Sequence, residues 1–329
     1  MKILFITTDE NRNLNVPNRN QGDLLENIIL LGLRKLIGEN CVDYPRKKIL
    51  YGDWSSISKS QLHGFGFSVY HEPMQDIPDT CRDLQDQKFD VILYGTSPQL
   101  NTPRMPDLES KCDLVFYVDS NDLIGIAPEN KYINYKGYRF IGNQYSPSFK
   151  RELIVEEDGQ YPISVGILES SILPINIDMK SQLHQKSYPR EALFEPKEVN
   201  RSHYCFTEED EYYADMAKSW FGLSCMRGGF DALRHYEIIA AGALLLYRDY
   251  HVKPPFCPPI SLPTISYSSL DELHTIMNSL VIDNKPTKAY MDLLLEQREW
   301  LKNNATEKAI GKYVLQVLNK ELERKRNGQ

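Results

Sequence analysis

The chain has 329 residues, of which 41% are apolar and 25% charged. At roughly 150 residues per domain this length suits two domains, and the composition excludes a disordered tail, a collagen-like rod and a small disulfide scaffold. The formal net charge of −7 argues against a globally basic nucleic-acid coat, though not against a local basic groove.

Residues 2–7 are apolar on both faces, the pattern of a buried parallel strand. After a polar, Asn-rich loop, residues 22–38 repeat apolar side chains near helical spacing at Leu24, Leu25, Ile28, Leu31 and Leu36, with Gly38 as a stop. A strand, a loop and a helix in this order open an α/β fold. Residues 41–45 form a short second strand closed by proline, and residues 63–70 pair a glycine turn with an alternating strand. Residues 89–95 and 114–119 are strong parallel-strand patterns, and 138–142 and 161–167 are two more strand-like runs. Ligands of open parallel sheets sit at the C-terminal ends of strands. Thr7, Thr8, Tyr94, Gly95, Thr96, Asp119 and Asp122 occupy such ends.

The seam between domains falls near 150–175, which divides the chain into 1–160 and a second domain at 161–329 that includes the last helices. Residues 178–202 are polar and charged and are expected to form a linker or an exposed helix. Residues 208–219 are a helix with Tyr212, Met216 and Ala217 facing inward, and 221–225 a short strand. A helix at 231–241, capped by Gly242, leads to a strand at 243–247. Five prolines among the ten residues 254–263 demand an extended loop. Residues 270–280 and 287–325 are helical, the latter with a charged tail.

Six cysteines are present, none in a C-x-x-C pair, and no histidine stands at metal-finger spacing. The N-terminal apolar run is too short for a signal peptide, and no stretch approaches the roughly 20 apolar residues of a membrane span. A reducing, cytoplasmic setting is expected.

The chemistry concentrates in residues 227–247. Gly228 and Gly229 let backbone N–H groups approach phosphate oxygens. The helix after them aims its N-terminal dipole at the same anion, and Arg234 offers a bidentate charged contact. Asp231, Arg234 and Glu237 or Ile238 recur at three- and four-residue spacing, which places them on one helical face. Glu237 could then accept hydrogen bonds from a ribose diol. The same residues also suit a plain glycine turn with an Asp cap and an exposed Asp–Arg pair.

The sequence His235-Tyr236-Glu237, followed by an apolar helix end, Gly242 and a buried strand, resembles the donor-binding C-terminal segment of GT-B glycosyltransferases. The wider run of Tyr212-Tyr213, Ser219-Trp220-Phe221-Gly222-Leu223, Gly228-Gly229-Phe230-Asp231 and Leu233-Arg234-His235-Tyr236-Glu237 is similar to exostosin-like and related glycosyltransferases. More loosely, so are Gly32-Leu33-Arg34, Val42-Asp43-Tyr44-Pro45-Arg46, Gly64-Phe65-Gly66-Phe67 and Phe149-Lys150-Arg151-Glu152. The resemblance implies two Rossmann-like α/β domains facing a cleft, and Glu237 in the place of the Glu that grips the nucleotide ribose. The retaining GT-B pattern sets a second Glu eight positions earlier, where this chain has Gly229. Asp231 is the nearest substitute, and the choice between retention and inversion stays open.

Elsewhere the signals are weaker. His235 suits a phosphate or acceptor contact and equally a structural histidine, and His63 lies in a Gly-rich turn. No H-E-x-x-H, G-x-S-x-G or P-loop pattern occurs. Asp119-Ser120-Asn121-Asp122 is the nearest thing to a metal-anchoring D-x-D, and in a GT-B protein it faces the acceptor.

These features imply a glycosyltransferase that moves a sugar from a nucleotide-diphosphate donor, of UDP or GDP type, to a hydroxyl acceptor, with neither a cofactor nor an obligatory metal. Glycan, lipid, protein and hydroxylated DNA bases all remain open as acceptors. Gly228, Gly229, Asp231, Arg234, His235 and Glu237 would bind the donor, Lys150 and Arg151 would reach the same anion from the other domain, and Asp119 or Asp122 would act as base. The alternative is a non-catalytic nucleotide-sugar sensor or receiver-like regulator, since Asp9-Glu10 follow the first strand.

Overall fold

Short apolar runs with no polar face to offer water become buried parallel strands, and the first half of the chain is built on them. The computed structural model describes residues 1–7, 24–55, 58–95, 105–120, 132–135, 138–141, 147–154, 156–196 and 205–328. It divides into two units, Met1–Gly166 with Glu307–Gln329, and Ile167–Thr306.

In the first unit, β1 (Ile3–Ile6), α1 (Leu24–Ile37), β2 (Cys41–Tyr44), β3 (Val91–Tyr94), α2 (Pro106–Glu109) and β4 (Leu114–Asp119) follow in order. The hairpin of β5 (Tyr132–Tyr135) and β6 (Tyr138–Ile141) precedes β7 (Ser148–Lys150) and β8 (Gln160–Pro162). The sheet order is β2-β1-β3-β4-β7-β8, with every neighbouring pair parallel. Ile6, Tyr44, Tyr94 and Tyr117 lie in one register row near the C-terminal edge.

The second unit holds β9 (Gln182–His184), α3 (Glu209–Ala217), β10 (Ser219–Cys225), α4 (Leu233–Ala241), β11 (Leu244–Arg248), β12 (Ile265–Tyr267) and α5 (Leu270–Leu280). A small hairpin of β13 (Val281–Ile282) and β14 (Lys285–Pro286) leads into α6 (Lys288–Asn304). Its parallel sheet runs β12-β11-β10-β9. Trp220, Phe221, Leu223, Leu244, Leu246, Tyr290 and Leu294 belong to one core cluster with α5 and the 190–193 turn. Both units are thus α/β with parallel sheets, as the alternation of strands and helices implies. Among the described residues no helix is long and apolar enough to cross a membrane.

Four local expectations change. No strand forms at 63–70, because Gly64, Phe65, Gly66 and Ser68 all take positive φ, which an extended strand does not accommodate. The run at 161–167 is a strand only to Pro162. Residues 178–202 are neither linker nor exposed helix where they are described: β9 is an edge of the second sheet, and Lys180, Gln185, Ser187, Tyr188 and Ala192 are buried. The long terminal helix is two helices. Ile167 bridges to Thr306 and its N–H donates to Ala305 O at 2.9 Å, which takes that carbonyl from helical pairing and ends α6, whose last N–H, that of Ala305, still donates to Leu301 O.

The last helix, α7 (Glu307–Arg326), therefore packs in the first unit, whereas the sequence reading grouped all of 161–329 together. It lies against α1 where glycines face each other: a Cβ on Gly32 would stand 2.1 Å from Glu307 O and 3.1 Å from Gly311 Cα. Lys35 Nζ pairs with the buried Glu307 carboxylate at 2.9 Å.

Candidate anion site at the strand ends of the second unit

In the second sheet, Cys225 closes β10 and is the register partner of Arg248 at the end of β11, which is itself paired with Tyr267 at the end of β12. From Cys225 the chain turns through residues 226–232 and enters α4 at Leu233. The turn is fastened from within. The Arg227 N–H donates to Gly229 O at 3.2 Å, and the Tyr247 hydroxyl donates to Phe230 O at 2.7 Å. His235 Nε2 lies 3.0 Å from that carbonyl, its ring against Tyr247 at a centroid distance of 4.7 Å. The Tyr236 hydroxyl donates to the Asp231 carboxylate. Phe230, Asp231, His235 and Tyr236 are all buried, whereas Arg227 is exposed and Gly228 and Arg234 are half-buried. The outward part of the turn is therefore cationic and small.

Ala232 caps α4 and has no side-chain oxygen to take up first-turn N–H groups. Helix N-termini of this kind favour anions. At the other end Gly242 adopts φ 86° and closes the helix with its N–H on Ile238 O and Ile239 O.

Charge gathers around this edge. Burial pushes the Cys225 thiol up to about 12, with Glu191 raising it further and Arg227, Arg234 and Arg248 opposing. Although Arg227 is exposed at its surface, the loss of hydration on its protein-facing side, and then the neighbouring Arg234 guanidinium, lower its pKa. Arg248 lies over the Phe194 ring at 3.7 Å, pairs with Asp249 at 3.1 Å and donates to Glu191 O. Arg190 pairs with Glu191 at 3.1 Å.

Gly228, Gly229, Asp231, Arg234, His235 and Glu237 are thus one local group, but not one helical face. Asp231 precedes α4, so only Arg234, His235 and Glu237 are helical. Glu237 is buried beneath α3, accepting from the Tyr212 hydroxyl at 2.6 Å. His235 is a buried member of the turn's scaffold. Lys150, Arg151 and Asp119 form a separate group in the first unit. Lys150 Nζ and Asp119 Oδ2 are 2.9 Å apart, both buried, at facing positions of β7 and β4, and the Arg151 N–H donates to Asp119 O at 3.1 Å. Asp122, Thr8 and Thr96 lie outside the described residues.

Sequence reasoning passed over Arg227, although it adjoins the glycine pair, and Arg248, although it ends a strand. Arg190 was hidden in the segment taken for a linker. The rule that strand ends face ligands would have found Arg248. No group of three or more His, Cys, Asp or Glu placed to hold a metal occurs among the described residues.

No protein-family profile and no curated protein matches the chain. Among solved structures the chain is similar to CalG4, the calicheamicin glycosyltransferase, at 10% identity over 97% of this chain and 98% of that one, with a TM-score of 0.37. It is also similar to the glycosyltransferase SnogD from Streptomyces nogalater, at 11% identity over 97% of this chain and 99% of that one, with a TM-score of 0.34.

Proposed function

We propose that the chain is a glycosyltransferase of GT-B type that binds a nucleotide-diphosphate sugar in its second unit and transfers the sugar to a hydroxyl acceptor. One observation carries the reading. The turn from Arg227 to Ala232 joins the end of a parallel β-strand to the start of α4 and presents two guanidinium groups, Arg227 and Arg234, beside the glycine pair. Backbone N–H groups, a helix start and two cations are what a leaving diphosphate needs as negative charge builds on it. The charge they supply replaces that of a divalent metal. Glu237, one turn further along α4, is the group for the ribose diol. For the acceptor base we keep Asp119 and Asp122, of which Asp119 ends β4 in the first unit and is held by Lys150.

The receiver-like alternative is weaker. In the first unit Lys150 ends the fifth parallel strand of the chain, as a receiver requires, but Tyr94 and Gly95 end the third, where the phospho-accepting Asp belongs.

Thermal unfolding with UDP- and GDP-sugars, followed by an assay for released nucleoside diphosphate, tests the proposal. Stabilisation by nucleotide sugars and not by free monosaccharides is expected. Absence of any shift with either nucleotide would overturn the donor site.

A further inference from the structure

We propose that Phe65 is a stacking platform for a sugar ring, which names the acceptor class as a glycan. As an acceptor site this rests on the transferase reading above; as a saccharide-binding surface it stands on the loop itself.

β2 delivers the chain at Tyr44 to the C-terminal edge of the first sheet, where ligands of parallel sheets sit. The segment that follows returns to that edge at Tyr70, whose hydroxyl accepts from Asn27 Nδ2 at 2.5 Å in the first turn of α1. Just before it, residues 62–67 form a tight loop. The Phe65 N–H donates to Leu62 O and the Phe67 N–H to Gly64 O, both at 3.1 Å. Leu62 and Phe67 are buried, whereas Phe65 between them is 46% exposed.

Gly64, Phe65 and Gly66 take φ of 65°, 57° and 72°. Glycine adopts this conformation freely and phenylalanine does not. A Cβ on Gly66 would stand 2.9 Å from Lys59 O, so the loop is clamped where it is. Glycine at 65 would relieve the backbone, and the half-exposed ring it removed contributes little to the core. A ring kept at that cost answers to something outside the fold.

The surroundings select a sugar. The face of an aromatic ring is electron-rich, and one face of a pyranose presents C–H groups polarised by its oxygens. The two meet flat and leave the sugar hydroxyls at the rim for polar groups. Lys59 and Gln61 are exposed there. The Lys59 backbone lies against Gly66, and its Nζ stands over the half-buried Trp54 ring at 5.6 Å. Within residues 58–70, Phe65 is the one exposed large apolar side chain among those described, too little for a lipid tail or a protein partner. Lys59 is the one lysine or arginine of that stretch, too few for a phosphate backbone.

The test uses the whole chain. Wild type, Phe65→Gly and Phe65→Tyr are titrated by calorimetry and NMR with malto-, cello-, chito- and manno-tetraose and with a thymidine oligonucleotide. Their melting is followed with and without UDP- and GDP-sugars. Wild type should bind at least one tetraose in preference to the oligonucleotide. Phe65→Gly should weaken that binding about tenfold, with melting temperature and nucleotide-sugar shifts kept, and Phe65→Tyr should bind like wild type. No tetraose bound by wild type, equal binding in Phe65→Gly, or loss of binding together with a lowered melting temperature overturns the proposal. Tighter, salt-sensitive binding of the oligonucleotide overturns it in favour of nucleic acid. Tetraose binding lost in Phe65→Gly by a chain that nucleotide sugars do not stabilise would sustain the platform and remove the transferase reading.

Discussion

Lys180 and Arg298 hold the far end of the helix whose near end forms the candidate anion site. Lys180 Nζ donates to Ser219 O and Gly242 O, both at 2.6 Å. Arg298 Nη1 donates to Ile239 O at 2.9 Å and Ala240 O at 2.6 Å. The Arg298 guanidinium there complements the negative end of the α4 dipole. Burial first, and then the charge of Arg298, push Lys180 from 10.5 down to about 7. The folded chain thus releases a proton that the unfolded chain keeps up to about pH 10.5, so stability should rise with pH between these two values. Urea denaturation at pH 7 and pH 9.5 should show this rise in wild type and a flatter dependence in Lys180→Met; equal slopes would assign the effect to other groups. At the near end, Arg234→Ala should weaken nucleoside diphosphate binding by about tenfold and nucleoside binding much less, because only the former presents the charge. Equal loss for both ligands would place Arg234 on the base, on the ribose or in the scaffold.

Among the elements, β10 and α4 are the pair that sets the turn, and their spacing depends on one residue. A Cβ on Gly222 would lie 2.1 Å from Ile238 Cγ2 and 2.8 Å from Ile238 Cγ1. Gly222→Ala should destabilise the chain by about 1–3 kcal/mol through overpacking. By pushing α4 away from the strand, it should also weaken nucleotide binding beyond what the stability loss explains. Denaturation and titration of the same variant check this, and full stability would show that Ile238 simply repacks. Much of this segment was legible beforehand. The apolar run at 221–225, the Gly228-Gly229 pair, the helical spacing to Ala241 and the stop at Gly242 are all local signals, and they mark the elements within about two residues. β9 and β12 were missed because each has three residues, too few for a period to show. The break at Ala305 and Thr306 was missed because its cause, the bridge to Ile167, lies far away in sequence.

At the scale of the whole molecule, the proposed activity should survive excess chelator, since Arg227, Arg234 and the α4 start supply the positive charge a metal would otherwise provide. The assay for nucleoside diphosphate release decides it. Complete loss that a divalent metal reverses would mean that the diphosphate is held by other groups.

The sequence by itself determined that the chain is α/β, that its main sheets are built from buried apolar parallel strands such as β1, β3 and β10, and that a glycine turn after a strand leads into a helix bearing Arg234. Such features depend on residues within a few positions of one another, where periodicity and turn chemistry act. Only the tertiary structure decided which charges gather at that turn, since Arg190 and Arg248 arrive from a neighbouring 3₁₀ turn and a neighbouring strand. It decided, too, that Lys150 answers Asp119 across two strands, that Tyr212 answers Glu237 across two helices, and that α7 returns to the first unit. Each of these joins residues well separated along the chain. Burial is what selects the pairings, because a buried charge must find its partner wherever the fold provides one.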